Sequence, residues 1–460
     1  MQRIENFQLF EDKMAREGLD PQVIRTFAHY YREVAAGATG RIPDEQLQPI
    51  GKDEIPDLAD LAPYRTKGRR LLPHAVMVVL NGGLGTSMGL TGPKSLLTVK
   101  NQRSFLDIIL GQTRQRGVTL ALMNSFNTQA ATREALASLA PAPPPHLFLQ
   151  NKFPKINQSD LTPAAWPANS ALEWNPPGHG DVYGSLMISG LLEQFLKSGI
   201  RYAFIANADN LGATLDEALL GYFAQQQLPF MMEVARRTPS DVKGGHLARH
   251  REGYLLLREA AQCPDADLDK FQDIQRHAFF NTNNIWIDLV ALETMVRETG
   301  RLALPMIVNP KTVDPRDPAS PPVYQVETAM GAAISLFTGA TAVQVPRLRF
   351  LPVKKCSDLL AIRSDCYRFG EHGELVPNPQ RTLPPPVVSL DSGHYDRIDR
   401  FDARFARGVP SLLACRTLTI KGDVRFGGNI TIKGSITIRN PGNSQAEIPD
   451  GTTIDDDLLL

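Results

Sequence analysis

A glycine-rich stretch that ends in a lysine is the first part of this chain whose residue types and spacing can do chemistry. In LNGGLGTSMGLTGPKS, residues 80–95, Gly82 and Gly83 let backbone N–H groups approach a ligand, and Lys94 adds a fixed positive charge. Such a loop can hold a phosphate group or the edge of a base. It matches neither GxxxxGKS/T nor GxGxxG, which weakens the P-loop and dehydrogenase interpretations. The alternative is a tight turn in which the glycines only permit a bend.

A histidine and a glutamine are candidates for neutral hydrogen-bonding groups. His179 lies between two glycines in PPGHGD and can donate to a sugar phosphate, while Gly178 can bring its backbone near a planar base. Gln150 follows the short strand HLFL, and its amide offers the donor and acceptor that distinguish uracil from cytosine. A loop histidine without a ligand and a surface glutamine are the alternatives.

Polar side chains also follow the predicted strand RYAFIA. Asn207, Asp209 and Asn210 cluster in ANADNLG, where a parallel strand ends and a ribose or metal ligand is expected. Mg²⁺ prefers one or two carboxylates together with phosphate oxygens, so Asp209 is the candidate metal ligand. A helix N-cap or an Asx-turn is the alternative role for such residues.

Three further residues suit the recognition of a phosphorylated sugar, and a second candidate lysine follows an extended run. Asn283 in FNTNN and Glu327 in VETAMG offer an amide and a carboxylate, which together match hydroxyl donors and acceptors. Lys243 precedes two glycines in DVKGG, and Lys354 ends the extended run FLPVK, where the adjacent Lys355 leaves the choice open. Solvation of Lys243, strand capping by Asn283 and charge at a helix start for Glu327 are the alternatives.

Strands and helices alternate along the chain in a way that places these residues at one edge of a sheet. AVMVVL at 75–80 is a continuous apolar run, as is typical of a strand buried on both faces. Further strands are predicted at 118–123, 146–149, 201–206 and 229–235, and helices at 105–116, 128–139, 184–199 and 215–226. This alternation predicts an α/β fold with a doubly wound, mostly parallel central sheet, with ligands at the carboxyl ends of the strands.

The segments outside this alternation are assigned more coarsely. We predict helices broken at Gly18 to Pro21 within 5–37, loop at 38–74, a hairpin turning near Glu252, proline-rich loops at 305–323 and 377–387, and a helix at 326–337.

The tail from Leu418 has a different pattern. In TLTIKGDVRFGGNITIKGSITIRN, β-branched and apolar positions recur about every six residues, which resembles a short left-handed parallel β-helix. Such a coil must pack either on the main domain or on a second subunit of a homo-oligomer. We therefore divide the chain into an N-terminal arm (1–74), a catalytic domain (75–400) and a β-helix domain (401–460).

Composition excludes several classes of protein. The 460 residues include 49 Lys+Arg and 49 Asp+Glu, a formal net charge of +0, which argues against nucleic-acid and polybasic membrane partners. The four cysteines form no CxxC pair, so neither a disulfide framework nor a zinc site is expected. No apolar run approaches the ~18–20 residues that cross a bilayer. We expect a soluble, cytoplasmic protein.

Nine motifs occur in the order found in one family. The chain resembles the eukaryotic-type UTP–glucose-1-phosphate uridylyltransferases, or UDP-glucose pyrophosphorylases, over about residues 75–455. The matching segments are LNGGLGTSMGLTGPKS, LMNSFNT, PPGHGD, ANADNLG, DVKGG, FNTNN, VETAMGAA, PRLRFLPVKKCSDLL and DVRFGGNITIKG. The resemblance implies a nucleotidyltransferase domain that is Rossmann-like and similar to the glycosyltransferase-A fold.

The resemblance also implies roles for individual residues. Catalysis is implied for Lys94 and Lys354, and Mg²⁺ binding for Asp209. Contacts to the nucleotide are implied for Leu80, Asn81, Gly82, Gly83, Gln150, Gly178, Asn207 and Asp209. Contacts to the sugar phosphate are implied for His179, Lys243, Asn283 and Glu327. Ser87 and Met88 stand where many sugar nucleotidyltransferases carry an arginine, which places more of the phosphate charge on the two lysines.

The implied reaction is UTP plus glucose 1-phosphate giving UDP-glucose and pyrophosphate. The attacking phosphate oxygen is already ionised, so no general base is required, and none of the motifs supplies a Ser-His-Asp arrangement or paired carboxylates. Catalysis then consists of positioning and charge neutralisation by two lysines and Mg²⁺. Two alternatives remain open: another sugar 1-phosphate, such as galactose or an N-acetylhexosamine, and a UDP-sugar-binding protein without activity.

Overall fold

A mixed α/β architecture forms the body of the protein in the computed structural model, which describes residues 6–51 and 53–460. The strands, in chain order, are β1 (Leu47–Gln48), β2 (Ala75–Asn81), β3 (Thr98–Lys100), β4 (Arg103–Ser104), β5 (Thr119–Asn124), β6 (His146–Leu149), β7 (Phe153–Pro154), β8 (Ile156–Asn157), β9 (Trp174–Asn175), β10 (Tyr202–Asn207), β11 (Phe230–Arg236), β12 (His246–His250), β13 (Leu255–Arg258), β14 (Phe279–Asp288), β15 (Met306–Thr312), β16 (Pro322–Thr328), β17 (Thr341–Gln344), β18 (Tyr367–Phe369), β19 (Leu375–Pro377), β20 (Val387–Ser389), β21 (Ser411–Lys421), β22 (Val424–Phe426), β23 (Thr431–Arg439), β24 (Ala446–Ile448), β25 (Thr453–Ile454) and β26 (Leu458–Leu459).

Helices of modest length connect these strands. They are α1 (Phe7–Arg16), α2 (Pro21–Ala35), α3 (Arg65–Leu71), α4 (Phe105–Arg116), α5 (Gln129–Leu139), α6 (Val182–Ile188), α7 (Leu191–Lys197), α8 (Glu217–Gln225), α9 (Leu268–Gln272), α10 (Leu289–Thr299), α11 (Cys356–Arg363), α12 (Ser392–Tyr395) and α13 (Ile398–Arg404). Local chemistry sets their ends: α4 begins with a capping box between Ser104 and Asp107 and stops at Gly117, which has a left-handed conformation. None of the described helices is long and apolar enough to span a bilayer.

The central sheet has ten strands and is mostly parallel in the part that forms the site. Its main path is β1-β12-β14-β10-β2-β5-β6, with β13 beside β12, β11 beside β14 and β17 beside β11. Strands β10, β2, β5 and β6 are parallel, whereas β14 runs antiparallel to both β10 and β11. In β2, Val76 and Val78 belong to one hydrophobic core and Met77 and Val79 to another. Both faces of the sheet are therefore buried, as the continuous apolar run predicted.

The register aligns the carboxyl ends of the parallel strands. Asn81 lies opposite Asn124, and Leu80 lies opposite Asn207. The loops that follow β2, β6 and β10 therefore emerge side by side at one edge of the sheet.

Three local predictions were wrong. The helix predicted at 326–337 is the end of β16 followed by a short 3₁₀ segment, Met330–Ser335. The loop predicted at 305–323 contains β15, which pairs antiparallel with β16. The region 38–74 is not mostly loop, since it contains β1, a 3₁₀ segment at Leu58–Tyr64 and α3.

The N-terminal arm forms two helices, as predicted, and packs on the small antiparallel sheet β15-β16-β8. Residues 1–5 and Lys52 of this arm lie outside the described residues. Phe10, Phe27 and Tyr31 pack against one another and against Phe153 and Ile156 of the main body. The two helices therefore share a hydrophobic core with the rest of the chain.

Parallel strands stack in the C-terminal tail. Ser411 pairs with Thr431, which pairs in turn with Thr453. A buried apolar side chain recurs every sixth residue, at Leu412, Leu418, Val424, Ile430 and Ile436. These residues share one core with Met88, Val353 and Cys356, so the tail packs on the main domain. The handedness of the coil and the domain limits at 74/75 and 400/401 stay predictions.

Candidate active site

A cavity of about 350 Å³ opens at the carboxyl ends of β2 and β10. Its lining consists of Leu80, Asn81, Gly82, Gly83, Lys94, Ser95, Met123, Gln150, Pro176, Gly178, His179, Asn207, Ala208, Asp209, Glu327 and Lys354. Every residue that the sequence proposed for the site borders this cavity except Lys243 and Asn283. Seven separate segments of the chain therefore converge here, as the position of the strand ends predicted.

The glycine loop bends back on itself so that its lysine returns to the strand end. The N–H of Lys94 donates to the carbonyl oxygen of Gly83 at 3.1 Å, and Leu84 forms a bridge with Pro93. At Gly82 a Cβ atom would lie 3.3 Å from Oε1 of Gln150, which is closer than most real contacts. The absence of a side chain there lets the loop approach the glutamine.

Two lysines meet at one carboxylate on the floor of the cavity. Nζ of Lys94 lies 2.8 Å from Oδ2 of Asp209, and Nζ of Lys354 lies 3.0 Å from the same oxygen. Burial by itself raises the pKa of Asp209, but the charges of Lys354 and Lys94 outweigh it and hold the pKa below its usual value. The carboxylate is therefore ionised and keeps both ammonium groups beside the cavity.

Main-chain contacts fix the position of Lys354. The N–H of the preceding Val353 donates to the carbonyl oxygen of Asp209 at 3.1 Å. Oδ2 of Asp358, in the first turn of α11, accepts the N–H groups of Lys354 and Lys355 at 2.7 and 2.9 Å. These bonds restrict rotation of the backbone. The two adjacent lysines differ in their contacts: Lys354 faces Asp209, and no ion pair of Lys355 is found among the described residues.

A buried ion pair, which the sequence did not reveal, anchors the segment that leads to Lys354. The guanidinium of Arg349 donates to both carboxylate oxygens of Glu233 in β11, at 2.6 and 2.7 Å. Asn284 and Trp286 of β14 donate to the same carboxylate. Because a buried charge is costly without its partner, this pair fixes the segment against the sheet. In the sequence Arg349 lies in a basic stretch that looks like solvent-exposed surface, so no local signal indicated its burial.

The histidine in the cavity has a defined tautomer. Nδ1 of His179 accepts the backbone N–H of Met330 at 3.0 Å, so a neutral ring carries its proton on Nε2. Burial, with a smaller contribution from the charge of Lys354, lowers the pKa of His179 to about 4. The imidazole is thus a neutral hydrogen-bond donor at physiological pH.

The backbone of the PPGHGD loop lies unusually close to β16. Gly178 has a φ of +79°, and a Cβ atom there would lie 2.4 Å from the carbonyl oxygen of Thr328. The N–H of Thr328 donates to the carbonyl oxygen of Pro177 at 2.8 Å. Only glycine allows this approach, which sets the position of the neighbouring His179.

A buried aspartate joins the histidine loop to the glutamine segment. Asp181 accepts the N–H of Asn151 at 2.7 Å and the hydroxyl of Ser185 at 2.7 Å. Burial raises the pKa of Asp181 to about 6, and its hydrogen bonds only partly oppose that shift. Gln150, next to Asn151, donates from Nε2 to the carbonyl oxygen of Gly178 at 2.8 Å. The amide is therefore oriented by the same loop that carries the histidine.

The predicted sugar-binding residues fall into two groups. Glu327 borders the cavity, and burial raises the pKa of its carboxyl group above the usual value. Asn283 lies on the irregular part of β14 with a φ of +58°, and its side chain accepts from Asn281 at 2.7 Å. Gly331, next to the Met330 that donates to His179, lies close enough to Asn281 that a Cβ would lie 2.9 Å from its amide nitrogen. Asn283 is thus beside the cavity and not on its lining.

A loop near Asn281 carries Lys243, and it lies close to a carboxylate after β13 that sequence reasoning missed. Lys243 is exposed to solvent and does not line the cavity. The carbonyl oxygen of Gly245 accepts the N–H of Asn281 at 3.1 Å. A Cβ at Gly245 would lie 2.5 Å from a carboxylate oxygen of Glu259, whose pKa burial raises to about 7. A partly buried carboxyl group beside a glycine can accept hydrogen bonds from a polyol.

The carboxylate of Asp209 has room for one further partner. Both lysines bond Oδ2, and no donor among the described residues bonds Oδ1. The same described residues contain no group of three or more His, Cys, Asp or Glu side chains that could enclose a metal ion. A divalent cation that takes one carboxylate oxygen and completes its shell with phosphate and water fits this arrangement, as Mg²⁺ commonly does.

The chain is similar in sequence to known proteins of one family. The sequence model of the UTP–glucose-1-phosphate uridylyltransferase family matches residues 24–433. A protein of that name from Solanum tuberosum is 40% identical over 422 residues, which cover 90% of this chain and 84% of that protein. One from Encephalitozoon cuniculi is 38% identical over 415 residues, covering 89% and 82%.

Solved structures of similar proteins match the fold over nearly the whole chain. A UDP-glucose pyrophosphorylase mutant from Leishmania major, crystallised in complex with UDP-glucose, is 44% identical with a TM-score of 0.91 and covers 99% of both chains. A UDP-glucose phosphorylase from Trypanosoma brucei is 45% identical with a TM-score of 0.86 and covers 99% of this chain and 100% of that one.

Proposed function

The chain belongs to the UTP–glucose-1-phosphate uridylyltransferase family, and we infer that the cavity described above is where it performs the family's reaction. The protein is an enzyme, a transferase that converts UTP and glucose 1-phosphate into UDP-glucose and pyrophosphate. Its substrates are small molecules. The alternatives, another sugar 1-phosphate or binding without turnover, are not favoured by relatives that carry this one name.

We propose that Lys94 and Lys354 are the catalytic residues. The two lysines are far apart in the sequence but contact the same carboxylate. Their shared contact with Asp209 is the observation that carries the proposal. The substrates are both polyanions that must meet at the α-phosphorus of UTP. Fixed ammonium groups offset that repulsion most strongly when charge develops on the leaving pyrophosphate.

The nucleotide is assigned to the glycine loop side of the cavity. Leu80, Asn81, Gly82 and Gly83 place backbone groups along this wall, and Asn207 and Asp209 lie at the adjacent strand end. The free acceptor of the Gln150 amide and its second N–H suit the uracil edge, whose N3–H donates and whose carbonyl accepts. The carbonyl oxygen of Gly178 accepts one N–H of this amide at 2.8 Å and so fixes the orientation of the glutamine toward the base.

The sugar phosphate is assigned to the opposite wall. The Nε2–H of the neutral His179 can donate to a phosphate oxygen without adding a charge that would change with pH. Glu327, Asn283 and Lys243 are proposed to bind the sugar hydroxyls and phosphate. Glu259, close to the Gly245 that bonds Asn281, is proposed as an additional acceptor. Unpaired polar groups would then disfavour the wrong epimer.

The chemical step needs no proton transfer from the protein. The attacking oxygen of glucose 1-phosphate is already anionic, so the side chains hold the two reactants in line and offset their charge. We propose Mg²⁺ as the divalent ion, held by Asp209; when bound it would supply two further positive charges on the triphosphate.

We also propose features that lie outside the cavity. A buried apolar residue at every sixth position supports a left-handed β-helix in the tail. A homo-oligomer would form at the exposed last strand of this coil. The domain divisions 1–74, 75–400 and 401–460 belong to the same proposal. Four free, buried cysteines support a reducing, cytoplasmic location.

The direct test is an assay of pyrophosphate release with UTP, Mg²⁺ and a panel of sugar 1-phosphates. We expect turnover with glucose 1-phosphate to exceed that with galactose 1-phosphate and N-acetylglucosamine 1-phosphate by at least about tenfold. Equal rates with all three sugars would remove the assignment of glucose. Binding of UDP-glucose without any pyrophosphate release would favour the binding protein over the enzyme.

A further inference from the structure

The lining of the cavity carries little positive charge for a reaction between two polyanions. Lys94 and Lys354 are its two cations, and they face two carboxylates, Asp209 and Glu327. The imidazole of His179 is neutral. A divalent ion adds two charges, yet UTP and the sugar phosphate together carry several more negative charges than these groups offset. The pyrophosphate part of UTP, which must leave as an anion, calls for a further cation.

The glycine loop does not supply that cation itself. Between Leu80 and Pro93 it contains no lysine or arginine. Its tip, the short 3₁₀ segment Thr86–Met88, ends at Gly89 in a left-handed conformation with a φ of +73°. Apart from Lys94 at its end, this loop can meet a triphosphate only with backbone and hydroxyl groups, which leaves part of the phosphate charge unpaired.

An arginine from the far end of the chain lies on this tip. Arg397, just before α13, places its side chain against Gly89, where a Cβ atom would lie 3.2 Å from the guanidinium carbon. Glycine is thus the residue that lets the guanidinium reach the loop. Two residues earlier, the hydroxyl of Ser87 lies 3.5 Å from the carbonyl oxygen of Lys354, so this tip and Lys354 are neighbours.

The guanidinium group of Arg397 is available to a ligand. Its side chain is 53% exposed, and its Nε donates to Asp399 at 3.2 Å. Asp399 is itself 63% exposed, so this pair is weak. No acceptor among the described residues bonds either of the two terminal nitrogens of Arg397. These are the atoms that form paired hydrogen bonds with phosphate oxygens.

We propose that Arg397 binds the β- and γ-phosphates of UTP, and equally the pyrophosphate that is released. The inference rests on the proposed function, because it assigns one end of the same substrate. It gives the chain a substitute for the arginine that Ser87 and Met88 leave out of the glycine loop. It also gives the region before the C-terminal tail a direct role in the site.

Three variants separate charge from packing. Arg397→Met keeps the contact with Gly89 and removes the charge, Arg397→Lys keeps a charge without the forked geometry, and Arg400→Met is the matched control. Arg400 is exposed in the first turn of α13, three residues after Arg397, and its Nη1 donates to the carbonyl oxygen of Gly393 at 2.8 Å. The reverse reaction, from UDP-glucose and pyrophosphate, gives separate KM values for the two substrates.

The expected result is selective. For Arg397→Met the KM for pyrophosphate should rise about tenfold or more, while the KM for UDP-glucose stays within about twofold. Arg397→Lys should fall between Met and wild type, and Arg400→Met should match wild type. Isothermal titration of the same proteins with inorganic pyrophosphate should show the same order of affinities.

Two results would overturn the inference. An unchanged KM and affinity for pyrophosphate in Arg397→Met would show that the guanidinium does not contact it. An equal rise in both KM values would show that Arg397 only holds the loop. The titration also separates this inference from the proposed function: a wild-type chain without turnover refutes the reaction, whereas pyrophosphate affinity that ignores Arg397 refutes only the arginine.

Discussion

Lys354→Met tests whether the ammonium group beside Asp209 drives the reaction. Methionine keeps an unbranched side chain of similar length and removes the charge. At about 4 Å and an effective dielectric constant of about 20, a unit charge interacts with a phosphoryl oxygen by about 4 kcal/mol. Since the side chain of Lys354 is 56% exposed, solvent reduces that value. We expect a loss of about 3 kcal/mol, or about a hundredfold in kcat/KM.

The neighbouring residue provides the control. Lys355→Met removes an equal charge one residue away, where the side chain is exposed and the backbone N–H still bonds Asp358. Initial rates in both directions, measured at saturating Mg²⁺, should fall for Lys354→Met and stay within about twofold of wild type for Lys355→Met. Thermal unfolding should change little in either variant, because Asp209 keeps its contact with Lys94 at 2.8 Å.

The reasoning fails if Lys354→Met retains activity within a few-fold of wild type. It also fails if the two variants lose activity equally, since the effect would then come from the general charge of the helix start. A large loss of thermal stability in Lys354→Met alone would contradict the view that Lys94 suffices to pair Asp209.

Three further predictions concern the walls of the cavity. Gln150→Ala should weaken the preference for UTP over CTP by about ten- to a hundredfold, measured as a ratio of kcat/KM values; an unchanged ratio rejects uracil recognition. Because the folded pKa of His179 is about 4, the step in kcat/KM for glucose 1-phosphate near pH 6 should come from the substrate phosphate alone and should lie at the same pH in His179→Gln. Stability to urea should be lost as pH falls from 6.5 toward 4, more steeply in wild type than in His179→Gln. Gly178→Ala, which adds a Cβ 2.4 Å from the Thr328 carbonyl oxygen at a φ of +79°, should destabilise the protein by at least about 2 kcal/mol in urea unfolding.

The position of the cavity could be predicted because it follows from strand geometry. Buried strands leave a clear apolar signature, and parallel strands align their carboxyl ends, so the residues after β2 and β10 had to meet. Asn207 and Asp209 were found in this way, and the register that places Asn207 opposite Leu80 confirms the alignment. The motif order then predicted the family, which the comparisons confirm.

What could not be predicted depends on contacts between distant segments. The segment around Glu327 was predicted to be helical, yet pairing with β15 makes its first residues part of a strand. Arg349 looked like part of a basic surface, but Glu233, more than a hundred residues earlier, buries it. Asp181 gave no signal because its partner Asn151 lies in another loop. All three features depend on a partner that lies far away in the sequence.

The arrangement of the two lysines explains why a carboxylate lies in a site for polyanions. Two ammonium groups cannot remain within about 3 Å of a single oxygen unless that oxygen is negatively charged, because their mutual repulsion would otherwise separate them or lower their pKa values. Asp209 solves this problem before the substrate arrives, since it holds Lys94 and Lys354 in place at 2.8 and 3.0 Å. When phosphate oxygens enter, they offer the ammonium groups an alternative partner of the same sign. The positive charge is therefore positioned in advance, and little reorganisation is needed when charge develops on the leaving pyrophosphate.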